Sequence, residues 1–154
     1  MPYTVWSAGQ LIGHTELERA AAGPGTRAGD FRPTPAFEAV WPVLRAFNAL
    51  GARVTAGFAT LSPSSTGEEI HAWLSAQPWA AAMKESEAAV AALALDLRDP
   101  AGATVPCLRI LISEAVPPTM INRLAEVDAG AARELARQLA EDGRRYMIVA
   151  VPEP

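Results

Sequence analysis

The chain has 154 residues, of which 50% are hydrophobic and 19% charged, so it is long enough for one globular domain and too apolar for a disordered or fibrous protein. Its formal net charge of -4 disfavours nucleic acid as a partner, because an acidic surface repels the phosphate backbone. The single cysteine, Cys107, excludes an intrachain disulfide and a cysteine-based zinc site.

Targeting signals are not expected from the sequence pattern. Residues 1–12 lack a secretory signal, and no run is apolar for the length of a membrane span. These features favour a cytoplasmic protein that has no membrane partner. Lys84 is the single lysine among many arginines and alanines, which is typical of a GC-rich bacterial genome.

A β-hairpin is predicted at the N-terminus. Residues 3–7 and 10–16 favour β-structure, and Ala8-Gly9 between them suits a tight turn. An edge strand at 3–7 would offer a route to a homodimer. Residues 18–34 show no sustained period and are expected to form a long connection.

An amphipathic helix is predicted over residues 35–51. Thr34 is expected to cap it, and Pro35 suits its first position. Apolar residues follow at spacings of three and four: Phe37, Val40, Trp41, Leu44 and Phe47. Pro42 should bend this helix or divide it into two.

The middle of the chain combines a weak strand with two helices. Residues 53–61 favour β-structure but contain a glycine, so a weak strand or extended segment is expected there. Thr66 and Glu69 match a capping box and predict a helix through Leu74. A further helix is predicted over residues 79–89.

A second hairpin and a final strand are predicted in the C-terminal half. Leucines alternate in 93–98, and a second run covers 105–114 after a turn, so one buried face is expected, with Leu93, Leu95, Leu97, Leu108, Ile110 and Ile112 on it. Thr119 and Asp128 are expected to cap two helices. The apolar run 146–151 is typical of a strand covered on both faces.

This order of elements predicts a single α+β domain over residues 1–154. We expect a mostly antiparallel sheet of about five strands, built from two β-hairpins plus a C-terminal strand, with helices packed mainly on one face. A right-handed parallel crossover from 105–114 to 146–151 is left open.

Polar residues that suit chemistry are scattered along the chain. His14 and Glu16 share a face of a strand and would form a metal site with His71 or Asp96, but a structural role is favoured, so neither a metal nor a cofactor is predicted. Other carboxylates, including that of Asp30, have no spacing that forces two of them together.

Two further features have both a structural and a functional interpretation. Asp96 is expected to pair across the hairpin with Arg98 or Arg109. Residues 23–29, with Arg27, have glycines that suit an anion cradle, but they lack the lysine of a P-loop and are interpreted as a flexible connection.

Three tryptophans are expected to pack in a core. Trp41, Trp73 and Trp79 lie on predicted helices with apolar neighbours. The alternative is that two of them line a ligand pocket. An exposed Trp79 would instead indicate a binding face.

The sequence resembles no family that we can name, and it does not establish the function. The absence of a catalytic constellation and the acidic charge favour a non-enzymatic bacterial binding or interaction module of accessory, regulatory or immunity type. The alternative is a small-molecule enzyme or ligand sensor with a pocket between sheet and helices. No catalytic residue is assigned; the candidates for contact with a protein partner or small molecule are His14, Glu16, Arg27, Trp41, His71, Trp73, Trp79, Asp96 and Arg109.

Overall fold

The structure is a computed structural model that describes residues 2–21 and 23–153. These residues form eight β-strands and five α-helices. They group into two compact units: one comprises residues 1–39 and 94–154 and contains every described strand, and the other, residues 40–93, is helical.

The strands and helices are numbered in chain order. They are β1 Tyr3–Ser7, β2 Gln10–Thr15, β3 Arg19–Ala20, β4 Arg27–Pro33, α1 Phe37–Phe58, α2 Gly67–Ala76, α3 Ala80–Ala92, β5 Leu95–Arg98, β6 Thr104–Val105, β7 Cys107–Glu114, α4 Pro118–Val127, α5 Ala129–Glu141 and β8 Tyr146–Pro152. The α+β class is therefore confirmed, but the sheet has more than the predicted five strands.

The strands form one antiparallel sheet that is nearly closed into a barrel. Its order is β6-β5-β1-β2-β4-β8-β7, and β3 adds to β4. Residues 104–114 connect the two ends of this strand order, because they contain both end strands: β6, which pairs with β5, and β7, which pairs with β8. Pro106 separates β6 from β7, as expected of a residue that cannot donate to a sheet ladder.

Apolar cross-strand pairs build the core of the strand-containing unit. Val5 lies opposite Leu97, Ile112 opposite Ile148, and all four side chains are almost fully buried. Phe31 is also fully buried, and a β-carbon at Gly13 would overlap its ring. Such facing pairs remove apolar surface from water, which is the main driving force for folding.

Aromatic rings continue this core. The Phe37 ring centroid lies 5.0 Å from that of Phe31 and 5.1 Å from that of Tyr146, both in tilted or edge arrangements. These separations are within the favourable range for aromatic pairs. Phe37 is therefore a core residue of the strand-containing unit rather than only the start of α1.

The helical unit is held by a looser apolar cluster. The Trp73 ring lies 5.8 Å from that of Phe58 and 6.1 Å from that of Trp79. No residue of α2 or α3 is fully buried. The predicted capping box at the start of α2 is confirmed, since Glu69 N–H donates to Thr66 Oγ1 and Thr66 N–H to a Glu69 carboxylate oxygen.

Several predictions about the N-terminal half are wrong. Residues 18–34 are not a long connection, because they contain β3 and the central strand β4. The segment predicted as a strand at 53–61 instead extends α1, which continues past Pro42 without division. Thr34 does not cap α1, since its hydroxyl donates to the carbonyl of Leu11 at 2.8 Å.

The strand arrangement differs from the predictions in three respects. The second hairpin exists only between β5 and β6, and Leu108, on the far side of Pro106, is 65% exposed. The parallel crossover that was left open does not form, because β7 and β8 are antiparallel. Strand β1 pairs with β2 and with β5, so it is not an edge strand, and a homodimer stays an untested prediction.

Candidate functional site

An interruption in strand pairing creates a polar cleft on the strand-containing unit. Strand β2 pairs with β4 as far as Thr15 opposite Phe31, and β3 resumes the pairing with Arg19 opposite Ala28. Residues 16–18 bulge out between these two stretches. Bulges of this kind redirect side chains and are frequent beside functional sites.

The bulge depends on Gly29. A β-carbon at this position would overlap the carbonyl oxygen of Glu16 and lie 2.8 Å from its carbonyl carbon. Only glycine therefore lets the bulged chain approach β4 so closely. The resulting "bulge cleft" has a volume of about 570 Å³, and its charged lining is His14, Glu16, Glu18, Arg19, Asp30, Arg32 and Arg144.

Asp30 is the centre of the charge network in the bulge cleft. Arg19 Nη2 lies 2.8 Å from Asp30 Oδ1, and Arg144 Nε lies 3.9 Å from Asp30 Oδ2. The two guanidinium groups come from β3 and from the turn that precedes β8, so two separate segments converge on one carboxylate of β4. Both contacts are exposed to solvent, which screens them.

Arg32 and His14 lie beside this network. They lie directly opposite each other on β4 and β2, so their side chains share a face of the sheet. The Arg32 Cγ and Nε atoms lie 3.8 Å from where a β-carbon would stand at Gly143, next to Arg144. Within the described residues, neither Arg32 nor His14 has a hydrogen bond or ion pair with a side chain.

Thr15 carries an unsatisfied hydroxyl beneath the cleft. The residue is 2% exposed, and its Oγ1 atom has no hydrogen-bond partner among the described residues. A buried hydroxyl without a partner lowers the stability of the fold. The Thr15 hydroxyl therefore lowers the stability of the fold beside the bulge.

The bulge cleft has the groups needed to bind an anion. Arginine presents N–H donors in a planar fork that matches a carboxylate or phosphate group. Three carboxylates also lie in the lining, so an incoming anion meets a mixed field rather than a purely basic one. Among residues 2–21 and 23–153, no group of three histidine, cysteine, aspartate or glutamate side chains is placed to hold a metal ion.

Two of the sequence-predicted site residues, His14 and Glu16, lie in the bulge cleft. Arg27 is exposed at the start of β4, opposite Ala150. Residues 23–26 are part of a turn between β3 and β4, in which Thr26 N–H donates to the carbonyl of Gly23. The flexible connection that was expected at this point is therefore a hairpin turn.

Asp96 forms an ion pair, but along its own strand. Arg98 Nε lies 2.9 Å from Asp96 Oδ2, because alternate residues of a strand face the same side. The Arg98 guanidinium also lies 4.3 Å from the ring centroid of Trp6, whose Nε1–H donates to Thr4 Oγ1. Arg109 is exposed on β7 and does not take part in this ion pair.

The remaining candidates lie on the helical unit. His71 is exposed on α2, and the metal grouping considered as the alternative for His14 and Glu16 is not formed among the described residues. Trp73 and Trp79 contact each other and are half-buried, and Trp41 is half-buried on α1. None of the three is fully buried, so the expected core packing is only partial, and a binding role for them stays a prediction.

Three arginines of the bulge cleft were missed: Arg19, Arg32 and Arg144. Arg19 and Arg32 lie in the segment interpreted as a connection, and Arg144 has the sequence context of an ordinary charge at a helix end. One signal was available, since Asp30 and Arg32 flank Phe31 in the alternation typical of a half-buried strand.

No protein-family model matches the chain, and no curated protein sequence or solved structure is significantly similar to it. None of the helices in the described part of the chain is long and apolar enough to cross a membrane.

Proposed function

We propose that this chain is a non-enzymatic binding module and that the bulge cleft is its binding surface for an anionic group of a partner. The observation that supports this most directly is that Arg19 and Arg144 converge on the carboxylate of Asp30 while Arg32 lines the same cleft. Arg32 is left without a side-chain partner among the described residues.

The overall charge makes this convergence informative. The protein has a formal net charge of -4, so a local group of three arginines is not a consequence of a basic composition. The cleft also holds three carboxylates, so its net field does not attract an anion strongly, and the support for binding comes from the guanidinium donors of Arg32, which no described side chain uses.

A small-molecule sensor is the second candidate, and the size of the cleft supports it. A volume of about 570 Å³ is within the range of ligand pockets. The pocket of that alternative was expected beside tryptophans, however, and the lining of the bulge cleft is mainly charged. This lining favours an acidic segment of a protein over an apolar metabolite.

Calorimetric titration with defined anions tests the proposal. The probes are a hexaglutamate peptide, succinate and inorganic phosphate, each added at low salt to the wild type and to Arg32→Gln. Charge-assisted hydrogen bonds contribute about 1.5–3 kcal/mol, so loss of one should weaken binding about tenfold or more. Added salt should weaken binding by the wild type, because the attraction is electrostatic.

Arg133→Gln is the matched control. Arg133 is an exposed arginine on α5 of the same unit and lies outside the cleft lining. Its substitution removes the same charge and should change the affinity less than twofold. The proposal is wrong if no probe binds the wild type at millimolar concentration, or if both substitutions weaken binding equally.

A further inference from the structure

The arginines of the bulge cleft already hold a carboxylate, that of Asp30. One oxygen of Asp30 faces Arg19 and the other faces Arg144. Arg19 donates a hydrogen bond to its oxygen, and Arg144 forms a longer ion pair with the other at 3.9 Å, so the two guanidinium groups flank the carboxylate as they would flank one in a ligand. The resident group therefore indicates which chemistry the cleft fits.

We propose that Asp30 occupies the place of the ligand, so that the bulge cleft accepts a carboxylate, which binds by displacing Asp30 from Arg19 and Arg144. This inference rests on the proposed function and names its ligand class. Arg32 provides the first contact, because it needs no displacement. A ligand with two carboxylates then satisfies all three arginines.

The exposure of the network makes displacement feasible. The side chains of Arg19, Asp30 and Arg144 are 59%, 42% and 67% exposed. Ion pairs this exposed contribute little to stability, because water screens the charges and competes for the donors. Breaking them should therefore lower the affinity of a ligand only about fivefold or less.

The backbone of Asp30 stays in place while its carboxylate leaves. Asp30 lies opposite Met147 in the pairing of β4 with β8, which holds the backbone within the sheet. Its side chain can turn toward solvent by rotation about its own bonds. Displacement therefore requires a change of rotamer rather than a rearrangement of the strand.

The substitution Asp30→Asn tests this inference. It keeps the shape of the side chain and removes the charge that competes with the ligand. Affinity for succinate and for hexaglutamate should rise about two- to fivefold over the wild type, by calorimetry at low salt. Asp142→Asn, at the exposed end of α5, removes the same charge outside the cleft lining and should change the affinity less than twofold.

The two carboxylate probes separate the sources of the ligand. If Asp30→Asn binds only hexaglutamate more tightly than the wild type does, the ligand is an acidic protein segment. If it binds only succinate more tightly, the ligand is a small dicarboxylate. Either result supports displacement. Equal tightening for inorganic phosphate would overturn the carboxylate class. Weaker binding by Asp30→Asn would also overturn the inference, because Asp30 would then be positioning the arginines.

The inference and the proposed function fail in different ways. If Arg32→Gln weakens binding and Asp30→Asn leaves it unchanged, the cleft binds anions and the displacement inference is wrong. If neither the wild type nor Asp30→Asn binds any of the three probes, both are wrong; if only phosphate binds, the carboxylate inference alone is wrong. Thermal denaturation first compares the stability of Asp30→Asn with that of the wild type. If Asp30→Asn is less stable, Asp30→Ser takes its place in the binding measurements.

Discussion

The carbonyl oxygen of Glu16 occupies the space in which a side chain at Gly29 would begin. Alanine at position 29 would force the bulged segment away from β4, so Gly29→Ala should lower the free energy of unfolding by more than about 1 kcal/mol. The change should also weaken anion binding, because the bulge shapes the cleft. Urea denaturation and calorimetric titration measure the two effects.

Gly67→Ala is the control for Gly29→Ala. Nothing lies within 4 Å of the β-carbon position of Gly67, which begins α2. The same chemical change should therefore leave stability unchanged or raise it slightly. Equal destabilisation by the two variants would mean that the approach of Glu16 to Gly29 is not the cause.

The hydroxyl groups of Thr15 and Thr34 should respond in opposite ways to replacement. Thr15 Oγ1 is buried without a partner among the described residues, whereas Thr34 Oγ1 donates to the Leu11 carbonyl. Thr15→Val should raise the free energy of unfolding by about 1 kcal/mol, and Thr34→Val should lower it by a similar amount. Thermal denaturation of both variants checks this. A destabilised Thr15→Val would indicate that its hydroxyl has a partner after all.

Two glycines of α1 provide a second matched pair. A β-carbon at Gly57 would overlap the ring of Trp73, whereas nothing lies within 4 Å of that position at Gly51. Gly51→Ala should stabilise the protein by about 0.5–1 kcal/mol, because alanine has the higher helix propensity. Gly57→Ala should lose this gain, since Trp73 must move. Chemical denaturation followed by tryptophan fluorescence reports the difference, and equal stabilisation would contradict the packing of Trp73 on Gly57.

The Cys107 thiol should react slowly at neutral pH. Partial burial raises its pKa, and the charges of Glu153 and Asp96 raise it further. Less thiolate is then present than in an exposed cysteine. Alkylation by iodoacetamide at pH 7.5 should be slower than that of glutathione, and a faster reaction would contradict this environment.

The same raised pKa has a consequence for stability. A thiol whose pKa is higher in the folded state than in the unfolded state holds its proton more tightly when folded. Its stabilising contribution is complete below the unfolded pKa and is lost as the pH rises through the raised folded value. The substitution Cys107→Ser removes this titration and should therefore flatten the alkaline part of a plot of melting temperature against pH.

Features that depend on neighbours in the chain were predictable from the sequence. The capping box of Thr66 and Glu69 joins residues three apart, and Asp128 caps α5 through Ala131, also three residues away. The hairpin of β1 and β2 turns at Ala8 and Gly9. The residue types alone predict such features, because the interacting groups remain close in any compact conformation.

Strand β4 and the bulge cleft were not predictable in this way. Residues 27–33 contain glycine, aspartate and arginines, and they have the composition of a connection until β2 and β8 supply partners on both sides. Likewise, α1 continues through Gly51 and Gly57 although glycine disfavours a helix, and packing of Trp73 against Gly57 offsets that preference.

The sequence by itself determined the α+β class, the antiparallel N-terminal hairpin and the caps of α2 and α5; the cap predicted at Thr119 is wrong, because α4 begins at Pro118 and contains that residue. Only the tertiary structure decided which strands are neighbours and which charged groups meet. Arg144 reaches Asp30 across more than a hundred residues of chain because β8 pairs with β4. The physical reason is that strand register is set by the summed burial of many distant pairs, which no local pattern contains.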